Sequence, residues 1–97
     1  MLTYIGLLKW TDEGIKGAKD ALNGRRRVAE RIERMGGRII AHYWTRGAYD
    51  VVVIVEYPDE ETAAASALAT GMSGMARTEG LRAFNDEEMG RILEKLP

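Results

Sequence analysis

Hydrophobic positions recur along this chain with two periods, and the switches between them mark its elements. Thr3 to Trp10 is mostly apolar on both parities and reads as a strand. Thr11-Asp12-Glu13-Gly14 follows, with a hydroxyl or carboxylate to cap a helix and acids to meet its positive end. Ile15, Ala18 and Leu22 continue at helical spacing, and Asn23-Gly24 interrupts them. Val28, Ala29, Ile32 and Met35 form a second apolar stripe that Gly36-Gly37 stops. The spacing predicts a short helix, a break at Asn23-Gly24, then a longer helix.

Arg38 to Thr45 and Asp50 to Tyr57 read as two strands joined by the hairpin loop Arg46-Gly47-Ala48-Tyr49, in which Gly47 supplies a positive φ. Val51 to Val55 is β-branched throughout, as a central strand covered on both faces would be. Pro58 ends it, and Asp59-Glu60-Glu61 begins an alanine-rich helix through Thr70. After a turn at Gly71 to Gly74, Met75 to Phe84 reads as a fourth strand weakened by Gly80. Asn85 or Asp86 then caps a last helix through Met89, Ile92, Leu93 and Leu96. The order β-α-β-β-α-β-α predicts an α+β fold over residues 1–97 as one domain. Its expected form is ferredoxin-like, a four-stranded antiparallel sheet with its crossover helices on one face.

Such a sheet leaves its second face bare. Val51, Val53 and Val55 suit the helix-covered side, while Asp50, Val52, Ile54 and Glu56 make an open face that is apolar in the middle and acidic at both ends. A three-residue hairpin loop puts Ile40, His42 and Trp44 on that open face; a loop of two or four puts Tyr43 and Thr45 there instead. The three-residue loop is the favoured register, because it keeps polar-edged side chains away from the helices.

Composition narrows the chemistry. With 14 basic and 15 acidic residues the formal charge is −1, which argues against nucleic acid and anionic membrane as partners. Zero cysteines and one histidine leave too few ligands for a transition metal, so no metal or cofactor is expected. The start lacks a basic region ahead of an apolar stretch, which makes the cytoplasm the expected compartment. The arginines from Arg25 to Arg38 are interleaved with Glu30 and Glu33, a solvated helix face in which Glu30 and Arg34 form a favourable pair. A chain of 97 residues buries only about 60–70% of its unfolded surface, which favours a homodimer or a multiple of one.

Trp10-Thr11-Asp12, Gly14-Ile15-Lys16, Gly36-Gly37, Tyr43, Gly47-Ala48-Tyr49-Asp50 running into a valine-rich strand closed by Glu56, Arg77-Thr78 and Leu81-Arg82-Ala83-Phe84 occur in that order. Together they cover almost the whole chain, and the chain resembles the GYD domain family. Its Gly-Tyr-Asp signature corresponds to Gly47, Tyr49 and Asp50. The resemblance implies a ferredoxin-like fold akin to the dimeric α/β-barrel proteins, and implies no activity.

The candidate ligand-binding residues are His42, Trp44, Tyr49, Asp50 and Glu56. Tyr49 and Asp50 are foremost turn architecture, since these residue types bond turn amides and anchor loops. Among Trp10, Trp44, Tyr4, Tyr43 and Phe84, Trp44 is the one assigned to a ligand rather than to core or interface. The expected function is a non-catalytic oligomeric module, or one that binds a small, partly apolar molecule between sheets. The alternative is a cofactor-independent enzyme in which His42, with Asp50 or Glu56, moves a proton on a substrate held against Trp44.

Overall fold

The computed structural model describes residues 1–97. Strand β1 spans Leu2–Trp10, β2 Arg38–Trp44, β3 Val51–Tyr57 and β4 Ala76–Ala83. They form one sheet in the order β2-β3-β1-β4, and every neighbouring pair is antiparallel. Helix α1 is Asp12–Lys16, α2 Ala21–Arg34, α3 Glu60–Met72 and α4 Asp86–Leu93. The arrangement is the ferredoxin-like α+β one, with β3 central as its valines require.

The helix starts follow the local sequence. The Thr11 hydroxyl accepts the Gly14 N–H, the Asp59 carboxylate accepts the Thr62 N–H, and Asn85 forms a reciprocal capping box with Glu88. The predicted break lies elsewhere, however. Asn23-Gly24 is inside α2, and the chain turns instead at Gly17 and a 3₁₀ turn at Ala18–Asp20. Asn23 is accommodated because its amide donates to Asp20 and its oxygen accepts from Arg26, so the first turn of α2 tolerates a residue that breaks helix interiors. Helix α3 also runs on through Gly71 and Met72, and Gly74, at φ +75°, makes the turn into β4.

The hairpin corrects the favoured register. The Thr45 N–H donates to the Asp50 carbonyl at 2.9 Å, closing a four-residue loop from Arg46 to Tyr49. Tyr43 therefore pairs with Val52 on the open face, while His42 pairs with Val53 and Trp44 with Val51 on the helix side. A β-bulge between Ile39 and Ala41 completes the inversion. The extra residue, Ile40, lets Ile39, His42 and Trp44 all share the side of the valines.

The core is small. Ile32 of α2 and Val55 and Tyr57 of β3 form its centre, with Tyr4, Val28, Ile39 and Ala63 packed around them. The Tyr57 hydroxyl donates to Ser66 Oγ at 2.7 Å, fastening α3 to the sheet. Only 9 of the 97 residues are buried, and Leu22, Leu68, Met72 and Leu93 are all more than half exposed. No helix is long and apolar enough to cross a membrane.

Candidate functional site

Gly47 takes φ +124° at the hairpin tip, a conformation open to glycine and costly for branched residues. That turn lets the next residues reach back over the sheet. Asp50 Oδ2 accepts the Trp10 N–H at 2.8 Å, and the Asp50 N–H donates to the Leu8 carbonyl at 2.8 Å. The Tyr49 hydroxyl donates to Glu79 Oε2 of β4 at 2.9 Å, and this bond to a carboxylate raises the phenol above its ordinary pKa. Gly47, Tyr49 and Asp50 thus tie the β2–β3 hairpin to the end of β1 and to the far edge strand. Glu79 is a partner that sequence reasoning missed, since nothing local marks it.

The remaining candidates are divided between the two faces of the sheet. Glu56 lies on the open face, where it accepts from Arg38 Nε at 2.7 Å. His42 lies under the helices, its ring edge-on to Trp44 with centroids 4.8 Å apart, and Trp44 in turn lies 6.2 Å from Trp10. Burial first, and then the charge of Arg25, hold the imidazole below its ordinary pKa. The expected pairing of His42 with Asp50 or Glu56 on one open face is therefore not formed. Register is the physical reason, because a shift of one residue moves a side chain to the other surface. No three His, Cys, Asp or Glu side chains are grouped so as to hold a metal ion.

The open face carries Ile5 and Leu7 of β1, Val52 and Ile54 of β3, Tyr43 of β2 and Leu81 of β4, placed side by side by the strand pairing. Tyr43 is 63% exposed and Leu81 49%. Lys9, Arg77 and Glu79 bound this apolar patch at one end and the Arg38–Glu56 pair at the other.

Between the helices and the sheet the packing is incomplete. Alanines of α3 and Gly6 and Gly80 of the sheet line a cavity of about 470 Å³. A second cavity of about 290 Å³ adjoins it and is lined by His42, Trp44 and Trp10. Arg31 borders both cavities, together with Val28 and Ile32 of the same helix. Its Nη2 donates to Thr70 Oγ1 at 3.0 Å and to the Ser66 carbonyl at 3.4 Å. Reading the arginine run as a solvated face missed this residue. The signal was present, because Arg31 stands three residues after Val28 and beside Ile32, on the flank of the apolar stripe. The expected Glu30–Arg34 pair is absent from the ion pairs within 4.0 Å, which on α2 consist of Arg27 with Asp20.

Comparison with known proteins adds a relative and a family. The chain is 33% identical over 85 residues to the glutamine synthetase and cystathionine beta-lyase binding protein of Thermus thermophilus, covering 87% of this chain and 90% of that protein. No solved structure matches. The GYD domain model matches residues 4–93, from near the start of β1 to the end of α4, and so includes the hairpin that carries Gly47, Tyr49 and Asp50. With the signature, the fold and nearly the full length in agreement, this chain belongs to the GYD domain family.

Proposed function

We propose that this protein is a non-catalytic binding module, a single cytoplasmic domain working without a cofactor, which self-associates through its open sheet face and docks as an oligomer on partner proteins. The observation that carries this reading is the apolar open face centred on Ile54, Val52, Ile5 and Leu7. Apolar surface of this kind is stabilised by removal from water at roughly 25 cal/mol per Å². A second copy is the occupant the face fits. Its rim carries both signs of charge, with Lys9, Arg77 and Glu79 at one end and Arg38 and Glu56 at the other, so a two-fold arrangement sets acids of one copy against bases of the next. The small core supports the same reading, since a chain with so few buried residues gains stability from burying more. Docking on other proteins is supported by the description of the Thermus relative, which is named for two enzymes that it binds.

Sedimentation equilibrium at about 10–100 μM, the micromolar affinity range, tests the association. The wild type should sediment as a dimer or a multiple of one, and Ile54→Arg should sediment as a folded monomer. A wild-type monomer across that range, or an Ile54→Arg protein that keeps the wild-type mass, overturns the proposal. Docking is tested by passing the protein over immobilised glutamine synthetase and cystathionine beta-lyase from the same organism. Retention on at least one is expected, and passage through both removes that half of the reading.

A further inference from the structure

Arg31 is a cation without a counter-ion, placed on the shared wall of two adjoining cavities. Its Nε is buried with no hydrogen-bond partner, and the two acceptors of its Nη2 are neutral, a threonine hydroxyl and a backbone carbonyl. No carboxylate lies within 4.0 Å of its guanidinium. Buried polar groups are normally satisfied, and a guanidinium lacking an anion retains unused donors in the fork geometry that fits a carboxylate. We propose that the cavity between the helices and the sheet binds a small organic anion, a carboxylate with an alkyl or aryl body, whose head group pairs with Arg31 and whose apolar part lies over Gly6 and Gly80.

The walls fit that chemistry. The larger cavity, about 470 Å³, is within the range of small-molecule pockets, and most of its lining is apolar, with Leu8, Val53 and Val55 on the sheet and alanines on α3. Around the smaller cavity Arg25 shares the sign of Arg31 and favours entry of an anion, while Arg27 is paired with Asp20. Glu60 is the acid on the lining, at the start of α3, where a ligand tail rather than its head group would lie. The site is on the opposite side of the sheet from the self-association face and does not depend on it.

Three probes with one tail and different heads separate the contributions. Octanoate, 1-octanol and octylammonium are titrated calorimetrically into the wild type, Arg31→Gln and Gly80→Leu. Octanoate should bind the wild type with a Kd of about 1 mM or tighter, octanol at least about tenfold more weakly, and octylammonium more weakly still. Arg31→Gln should remove the preference for the carboxylate. Because Arg31 also holds α2 to α3, that variant is paired with Gly80→Leu. A Cβ at Gly80 meets nothing within 4 Å and its φ is not positive, so the leucine enters the cavity of a folded protein and should abolish octanoate binding. Equal binding of all three probes, no octanoate binding up to about 10 mM, or unchanged octanoate affinity in either folded variant overturns the proposal.

Discussion

Asp50 Oδ2 and the Trp10 backbone N–H are 2.8 Å apart, a bond across forty positions of sequence that fixes where β1 ends and the hairpin begins. The acceptor is a carboxylate, and removing it leaves a partly buried donor without its partner. Asp50→Ala should therefore cost about 1–3 kcal/mol. Asp50→Asn, which retains an acceptor oxygen, should cost less. Urea unfolding of the two variants checks the order, and equal midpoints for Asp50→Ala and wild type would show that this bond does not hold the hairpin.

Two glycines should respond to substitution for different reasons. At Gly47 the surrounding space is empty, so Gly47→Val acts through backbone conformation alone and should destabilise by about 1 kcal/mol or more. At Gly14 an added Cβ would come within 1.8 Å of the Met75 carbonyl oxygen, because the start of α1 rests against the turn before β4. Thr11 fixes that approach from both sides, its N–H donating to the Met75 carbonyl at 3.1 Å and its hydroxyl to the Gly74 carbonyl at 2.6 Å. Gly14→Ala should be the more damaging change in thermal melts, although its side chain is the smaller.

His42 makes stability depend on pH below neutrality. Its pKa is lowered in the folded state, so the unfolded chain takes up the proton first as the pH falls. The contribution is intact above the ordinary value of about 6.5 and is lost as the pH falls through the lower, folded value. Wild-type melting temperature should accordingly drop between about pH 7 and pH 5 by more than that of His42→Gln. Parallel curves would show that folding does not shift the imidazole pKa.

The opposite sign applies to Tyr49. Its phenol is raised by the bond to Glu79, so the contribution is present below the ordinary value of about 10 and is lost as the pH rises through the folded value. In an ultraviolet titration Tyr49→Phe should lose a phenol that ionises above the ordinary range. Glu79→Gln, which replaces the charged acceptor with a neutral one, should bring that transition earlier.

The element order, the helix caps at Thr11, Asp59 and Asn85, the central position of β3 and the positive φ of Gly47 are all legible in the linear chain. Each depends on interactions between residues a few positions apart, or on the period of a single segment. The face on which His42 and Trp44 lie was decided only in three dimensions. It depends on loop length and on the bulge at Ile40, and the difference of one residue between two acceptable hairpins leaves almost no local trace. Tyr49 with Glu79 and Arg31 with Thr70 likewise join residues 30 and 39 positions apart, partners that only the packing of sheet and helices selects. The cavity beside Arg31 follows from the same rule. Alanine and glycine are ordinary where they stand in sequence, and they leave a space only when the fold sets the alanines of α3 across from Gly6 and Gly80.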